Sequence, residues 1–260
     1  KTFDAVVLEN RYLKVWVLSD AGGVIARTIY KPTGDDLFYM EQKAKDWVPF
    51  WESGVKANFP WREHCIGLDQ PASHRIVQNP DGSVTLAMWM EFSRHNEPWQ
   101  GAMYGRFSNM MLSQMVTLRP DDSLLSIRYR IANPAPYRQG RRLWTDAFFP
   151  RNHTRDGAIH GDQQPPKKTD SEWIYPARWV STHLAKDLRE YDESKTRIGD
   201  YTTEHNSLFA WDIPFGFAGM YYPQVNISRL RIWDPTVAPG AKQYYRGEGQ
   251  WKPGGLSSHQ

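Results

Sequence analysis

Along much of the chain apolar and polar side chains alternate with a period of two, the spacing that turns one face of a β-strand toward a core. The clearest case lies in 124–131, where Leu125, Ile127, Tyr129 and Ile131 alternate with Ser126, Arg128 and Arg130. The turn Arg119-Pro120-Asp121-Asp122 joins this run to Gln114–Leu118 and predicts a hairpin. Further strands are predicted at Leu13–Leu18 and Val24–Tyr30, separated by Gly22-Gly23, and at Leu37–Met40 after the turn-forming KPTGDD. Asn79-Pro80-Asp81-Gly82 opens a hairpin into Val84–Phe92, and later strands are expected at 142–148, 207–211, 217–222 and 230–233. Helical signal is confined to STHLAKDLREYDE, residues 181–193, where Ser181 or Thr182 would serve as N-cap. Short strands divided by turn residues argue for an all-β antiparallel sandwich or barrel, read as a single domain over 1–260.

Two stretches break the rhythm. One is the polar segment from about 150 to 206, with Gln163-Gln164-Pro165-Pro166-Lys167-Lys168, which reads as one long irregular excursion and as the wall of a binding site or a loop. The other is FWESGVKANFPWREHC, residues 50–65, which has neither period and is rich in aromatic side chains. It reads as a loop in which Arg62, Glu63 and His64 are free to converge on a ligand or, equally, to make a surface ion pair and a turn cap. Asn152-His153-Thr154 places a second loop histidine just after an apolar strand. Asp146 lies inside that strand, where a buried face would demand a partner and a cleft would let it hold hydroxyl groups. Asp234, in Asp234-Pro235, Lys242, just after Pro239-Gly240-Ala241, and Glu248, between two glycines, lie in turn-rich surroundings.

Composition narrows the function classes. Aromatic residues make up 14% of the chain, including 12 Trp, which suits strand cores as well as platforms for sugars. A net charge of +3 with scattered basic residues carries no nucleic-acid footprint. One cysteine excludes an internal disulfide framework and a paired-cysteine zinc site, and no acidic run has calcium-loop spacing, so no metal or other cofactor is expected. No apolar run approaches the roughly 18 residues of a spanning helix, so no membrane partner is expected. The chain begins at Lys1 without a Met, which fits a removed signal peptide or a trimmed chain and leans toward a secreted or periplasmic location.

The opening LENRYLKVWVLSDAGGVIARTIYKPTGDDLFY resembles the start of bacterial domains in the galactose mutarotase-like superfamily. Trp51, Gly54, Asn58, Pro60 and His64 are similar, in order, to the W-x-x-G-x-x-x-N-x-P-x-x-x-H segment of one of its uncharacterised branches, and Asp234-Pro235 with Pro239-Gly240-Ala241-Lys242 resembles that branch's closing strands. The resemblance implies an antiparallel β-supersandwich. It also implies sugar chemistry of the aldose-epimerase type, in which a histidine acid and a glutamate base act on either side of a hemiacetal. On that reading His64 or His153 is the acid, and Glu248 or Glu63 the base. Trp51, Trp61, Arg62, Asn58 and Asp146 hold a mono- or oligosaccharide, with Asp234 and Lys242 as further contacts. Two alternatives stay open: a lyase or hydrolase of an acidic glycan, whose uronate Arg62, Arg151 and Lys242 would neutralise, and a carbohydrate-binding domain without catalysis.

Overall fold

The structure is a computed structural model that describes residues 2–39, 53–59, 71–92, 110–134, 136–138, 143–149, 172–174, 178–181, 189–190, 207–211, 213–223, 225–245 and 256–259. Among them the strands are β1 (Ala5–Glu9), β2 (Leu13–Leu18), β3 (Val24–Tyr30), β4 (Asp35–Asp36), β5 (Val55–Asn58) and β6 (Ser73–Gln78). Then come β7 (Val84–Phe92), β8 (Met110–Leu118), β9 (Leu125–Ala132), β10 (Trp144–Phe149), β11 (Glu172–Ile174) and β12 (Trp179–Ser181). The last are β13 (Arg189–Glu190), β14 (Ser207–Trp211), β15 (Phe217–Tyr222), β16 (Ile227–Ile232), β17 (Ala241–Tyr245) and β18 (Leu256–His259). The protein is thus all-β with antiparallel sheets, as the alternation predicts. The chain divides into two compact units, one made of residues 1–33, 43–51 and 56–144, the other of 34–42, 52–55 and 145–260.

In the first unit β1, β2 and β3 form an antiparallel meander and β6, β7, β8 and β9 a second. Leu13, Val15 and Val17 point inward from β2, and Leu86, Met88, Leu112 and Val116 from β7 and β8, all essentially inaccessible to water. Burial of each such side chain is worth about 1.5–3 kcal/mol. Asn10 closes the β1–β2 turn: its Oδ1 accepts from the amides of Tyr12 and Leu13, and its Nδ2 donates to the carbonyls of Arg119 and Asp122. At the other end Gly23 takes a left-handed φ of 72°, with Met88 so near that a Cβ would lie 3.2 Å from its thioether. The Gly23 carbonyl also accepts from the buried Gln114 amide at 2.9 Å. The turn predicted at Asn79–Gly82 forms, tied by Asp81, whose carboxylate accepts from both the hydroxyl and the amide of Ser83.

In the second unit the strands run β10-β18-β17-β14-β12-β13, and a separate three-stranded sheet runs β11-β15-β16. Segments 34–39 and 53–54 knit into it through three backbone bonds: Tyr39 N–H to Phe148 O, Gly54 N–H to Tyr39 O and Phe148 N–H to Gly54 O. Gly54 has a φ of 60°, which explains a glycine at this point of the 50–65 segment.

Several sequence expectations change. Leu37–Tyr39 lie outside any strand, and the pairing shifts to Asp35–Asp36 instead. Within 50–65 the chain is not all loop, because Val55–Asn58 forms β5. Three short strands, β11 to β13, lie inside the excursion expected near 150–206. Of the segment expected to be helical, 181–193, Ser181 belongs to β12 and Arg189 of β13 pairs with Val180, while 182–188 and 191–193 lie outside the described residues.

Candidate functional site

The second unit buries an unusual set of polar residues: Asp35, Asp36, Ser53, Thr145, Asp146 and Arg229. Charges withdrawn from water cost several kcal/mol each unless partnered, so such a set is either a structural network or a prepared site. The arginines come from β16, ISRLRI, whose faces are the reverse of what hydrophobicity suggests. Arg229 is 5% exposed, while Leu230 and Ile232 on the other face are 49% and 72% exposed. The register Met220 opposite Arg229 and Ala218 opposite Arg231 sets this facing. Gly216 and Gly219 permit it, since a Cβ at either would fall about 2 Å from a β16-side carbonyl oxygen, 2.0 Å from that of Trp233 and 1.9 Å from that of Arg229.

Both guanidinium groups reach backbone. Arg229 donates Nη1–H to the Leu37 carbonyl at 3.0 Å, and Arg231 donates to the carbonyl and the hydroxyl of Thr145. Leu37 and Thr145 immediately follow Asp36 and precede Asp146, so the arginines anchor the segments that carry the buried carboxylates. Arg229 also lies over the Tyr222 ring, 4.6 Å from its centroid, a cation–π contact. Burial pushes the Tyr222 hydroxyl up to about 12, against the opposing pull of Arg229, so it stays neutral at physiological pH.

Across the larger sheet the register assembles a second grouping. Asp146 of β10 stands opposite His259 of β18, and His259 opposite Lys242 of β17. Positions paired in this way form one row with about 5 Å between neighbours. Positions 146, 259 and 242 thus follow one another in the row, with Phe209 of β14 and Ser181 of β12 continuing it.

Of the residues singled out in the sequence, the structure thus brings together Asp146, which is 2% exposed, and Lys242. Asn58 lies in β5 and is fully buried, in a strand rather than the expected loop. Asp234 is exposed and engaged in its own turn: its Oδ1 accepts from the Thr236 hydroxyl at 2.6 Å and amide at 2.9 Å. Those bonds, the hydroxyl's first, hold its carboxyl below the usual carboxylate range. Trp51, Trp61, Arg62, Glu63, His64, Arg151, His153 and Glu248 lie outside the described residues. Among the described residues no three His, Cys, Asp or Glu side chains are grouped to hold a metal. Sequence reasoning missed His259, Arg229 and Arg231. The arginines had a signal, an Arg-x-Arg spacing on one face of a strand, whereas the four-residue LSSH has none.

A solved structure described as a TPR-domain containing protein from Parabacteroides distasonis ATCC 8503 superposes on the whole of this chain with a TM-score of 0.72 at 16% identity. The chain spans 42% of that protein's length, and at this identity the likeness concerns the fold. The family described as "Domain of unknown function (DUF5107)" matches residues 1–156, a span that takes in β1 to β10 and with them Asn58, His64, Asp146 and His153. Since that match covers more than half of the sequence, the chain belongs to the DUF5107 family.

Proposed function

We propose that the protein is carbohydrate-active, an aldose-epimerase-like enzyme that opens and closes a sugar hemiacetal by paired proton transfer. The observation that carries this reading is the row Asp146–His259–Lys242, in which the register sets a histidine position between an aspartate position and a lysine position. Hemiacetal opening needs one group to protonate the ring oxygen and another to take the anomeric proton. His64 or His153 as acid and Glu248 or Glu63 as base remain the pairing that the galactose mutarotase-like resemblance implies, and His259 joins them as a candidate. The left-handed Gly54 and the buried Asn58 support the W-x-x-G-x-x-x-N-x-P-x-x-x-H segment as a shaped element.

The test is anomer exchange followed by NMR with a panel of aldoses. Acceleration that is abolished in His64→Ala, His153→Ala or His259→Gln, each with native circular dichroism, supports the reading; no acceleration with any aldose sinks it. Lys242 beside His259 in the register also suits a lyase of an acidic glycan, a cation to neutralise the uronate beside a base for the C5 proton. Release of unsaturated product, read by ultraviolet absorbance, separates that reaction from epimerisation.

A further inference from the structure

We infer that the solvent face of the β6–β9 sheet is a binding platform for a uronate-bearing glycan. This inference rests on the reading of the protein as carbohydrate-active and adds a site and a charge class to it. The registers fix which residues share this face. One row across the four strands is Ser73, Trp89, Ser113 and Arg130, and the next is Arg75, Ala87, Met115 and Arg128. The opposite face of β7 and β8 supplies the buried Leu86, Met88, Leu112 and Val116, so these two rows look outward.

Three observations point to the ligand. Trp89, at 36% exposure, is a large ring left open in the middle of a sheet, with a serine on each paired strand to meet hydroxyl groups beside it. Arg75, Arg128 and Arg130 are exposed, and among the described residues none has an ion-pair or hydrogen-bond partner. Against these three cations the face carries a single acid among the described residues, Glu91. Arg128 and Arg130 stand about 7 Å apart along one strand and Arg75 about 14 Å across the sheet from Arg128, spacings that suit carboxylates repeated along an extended polymer. A single-stranded nucleic acid is held by successive aromatic platforms, and duplex DNA by an element that enters a groove; among the described residues this face carries one open ring, which fits neither.

The test is affinity electrophoresis of the full chain through gels holding polygalacturonate, a neutral galactan or oligothymidylate. We expect retardation by polygalacturonate that weakens about tenfold or more between about 0.05 M and about 0.5 M salt, and little by the galactan. The double variant Arg128→Gln/Arg130→Gln and, separately, Trp89→Leu should each weaken it by about tenfold or more while unfolding transitions stay at the parent midpoint. The inference is overturned if polygalacturonate does not retard the chain or if oligothymidylate retards it as strongly. It is equally overturned if Trp89→Leu binds as the parent does, which would reduce the effect to simple ion exchange. Anomer exchange measured on the same samples keeps the two readings apart. Its absence with uronate binding intact removes the enzyme alone; its presence without uronate binding removes this platform alone.

Discussion

Gly219→Ala tests the argument that β15 must pass β16 without a side chain. A Cβ at this position would stand 1.9 Å from the Arg229 carbonyl oxygen, 2.9 Å from its carbon and 3.0 Å from the Leu230 Cα. Even a close carbon–oxygen contact needs about 3.3 Å, so β16 has to retreat by about 1.4 Å. A ladder bond of ordinary length does not survive that stretch. Retreat also draws Arg229 and Arg231 away from the carbonyls of Leu37 and Thr145. Overpacking costs about 1–3 kcal/mol and a lost hydrogen bond to a charged group about 1.5–3 kcal/mol, so the variant should lose about 3–5 kcal/mol. Gly34 supplies the control: its φ is 75° and a Cβ there would meet nothing within 4 Å, so Gly34→Ala brings only backbone strain of about 1–2 kcal/mol. Urea unfolding followed by tryptophan fluorescence measures both. A Gly219→Ala variant no less stable than Gly34→Ala would refute the close-approach reasoning.

Tyr222 makes stability fall in alkali. The unfolded hydroxyl ionises near 10.0 while the folded one is pushed up to about 12, so between those values the unfolded chain has released a proton that the folded chain keeps. Stability therefore drops as pH rises through this window, by about 2–3 kcal/mol, and Tyr222→Phe should remove that part of the slope; equal slopes in parent and variant would contradict it. Asn10→Ala removes two acceptor and two donor contacts at the β1–β2 turn and should cost about 2–3 kcal/mol in thermal or urea unfolding. Asn10→Asp keeps the acceptors but turns an oxygen toward the Arg119 and Asp122 carbonyls, so it too should be less stable than the parent.

Strands that are β-rich runs bounded by turn residues were legible in the sequence. Leu13–Leu18, Val24–Tyr30, Val84–Phe92, Ser207–Trp211 and Phe217–Tyr222 form with the bounds that their patterns predict. β5 escaped because it is buried on both faces while carrying Lys56 and Asn58, so neither alternation nor an apolar run marks it. β6 escaped for the opposite reason: nearly all of SHRIVQ is exposed. On β16 the pattern of alternation was visible but not its sense, since arginines face inward only because two carbonyl groups wait there for them. The row of Asp146, His259 and Lys242 could not be read from spacing, because strand partners so far apart in the chain are set by sheet register alone.

The interleaving of the two units has a consequence for biosynthesis. Tyr39 and Gly54 leave the ribosome long before Phe148, the residue whose amide and carbonyl complete their backbone bonds. At about 5–20 residues per second, that leaves roughly 5–20 s in which Tyr39 and Gly54 wait for Phe148. Leu37 waits longer still, since Arg229 follows it by 192 residues. The first unit can close as soon as β9 is made, whereas the second is finished only when β18 arrives to pair with β10. Translation order therefore leaves the Leu37 carbonyl without its guanidinium for the longest of these intervals.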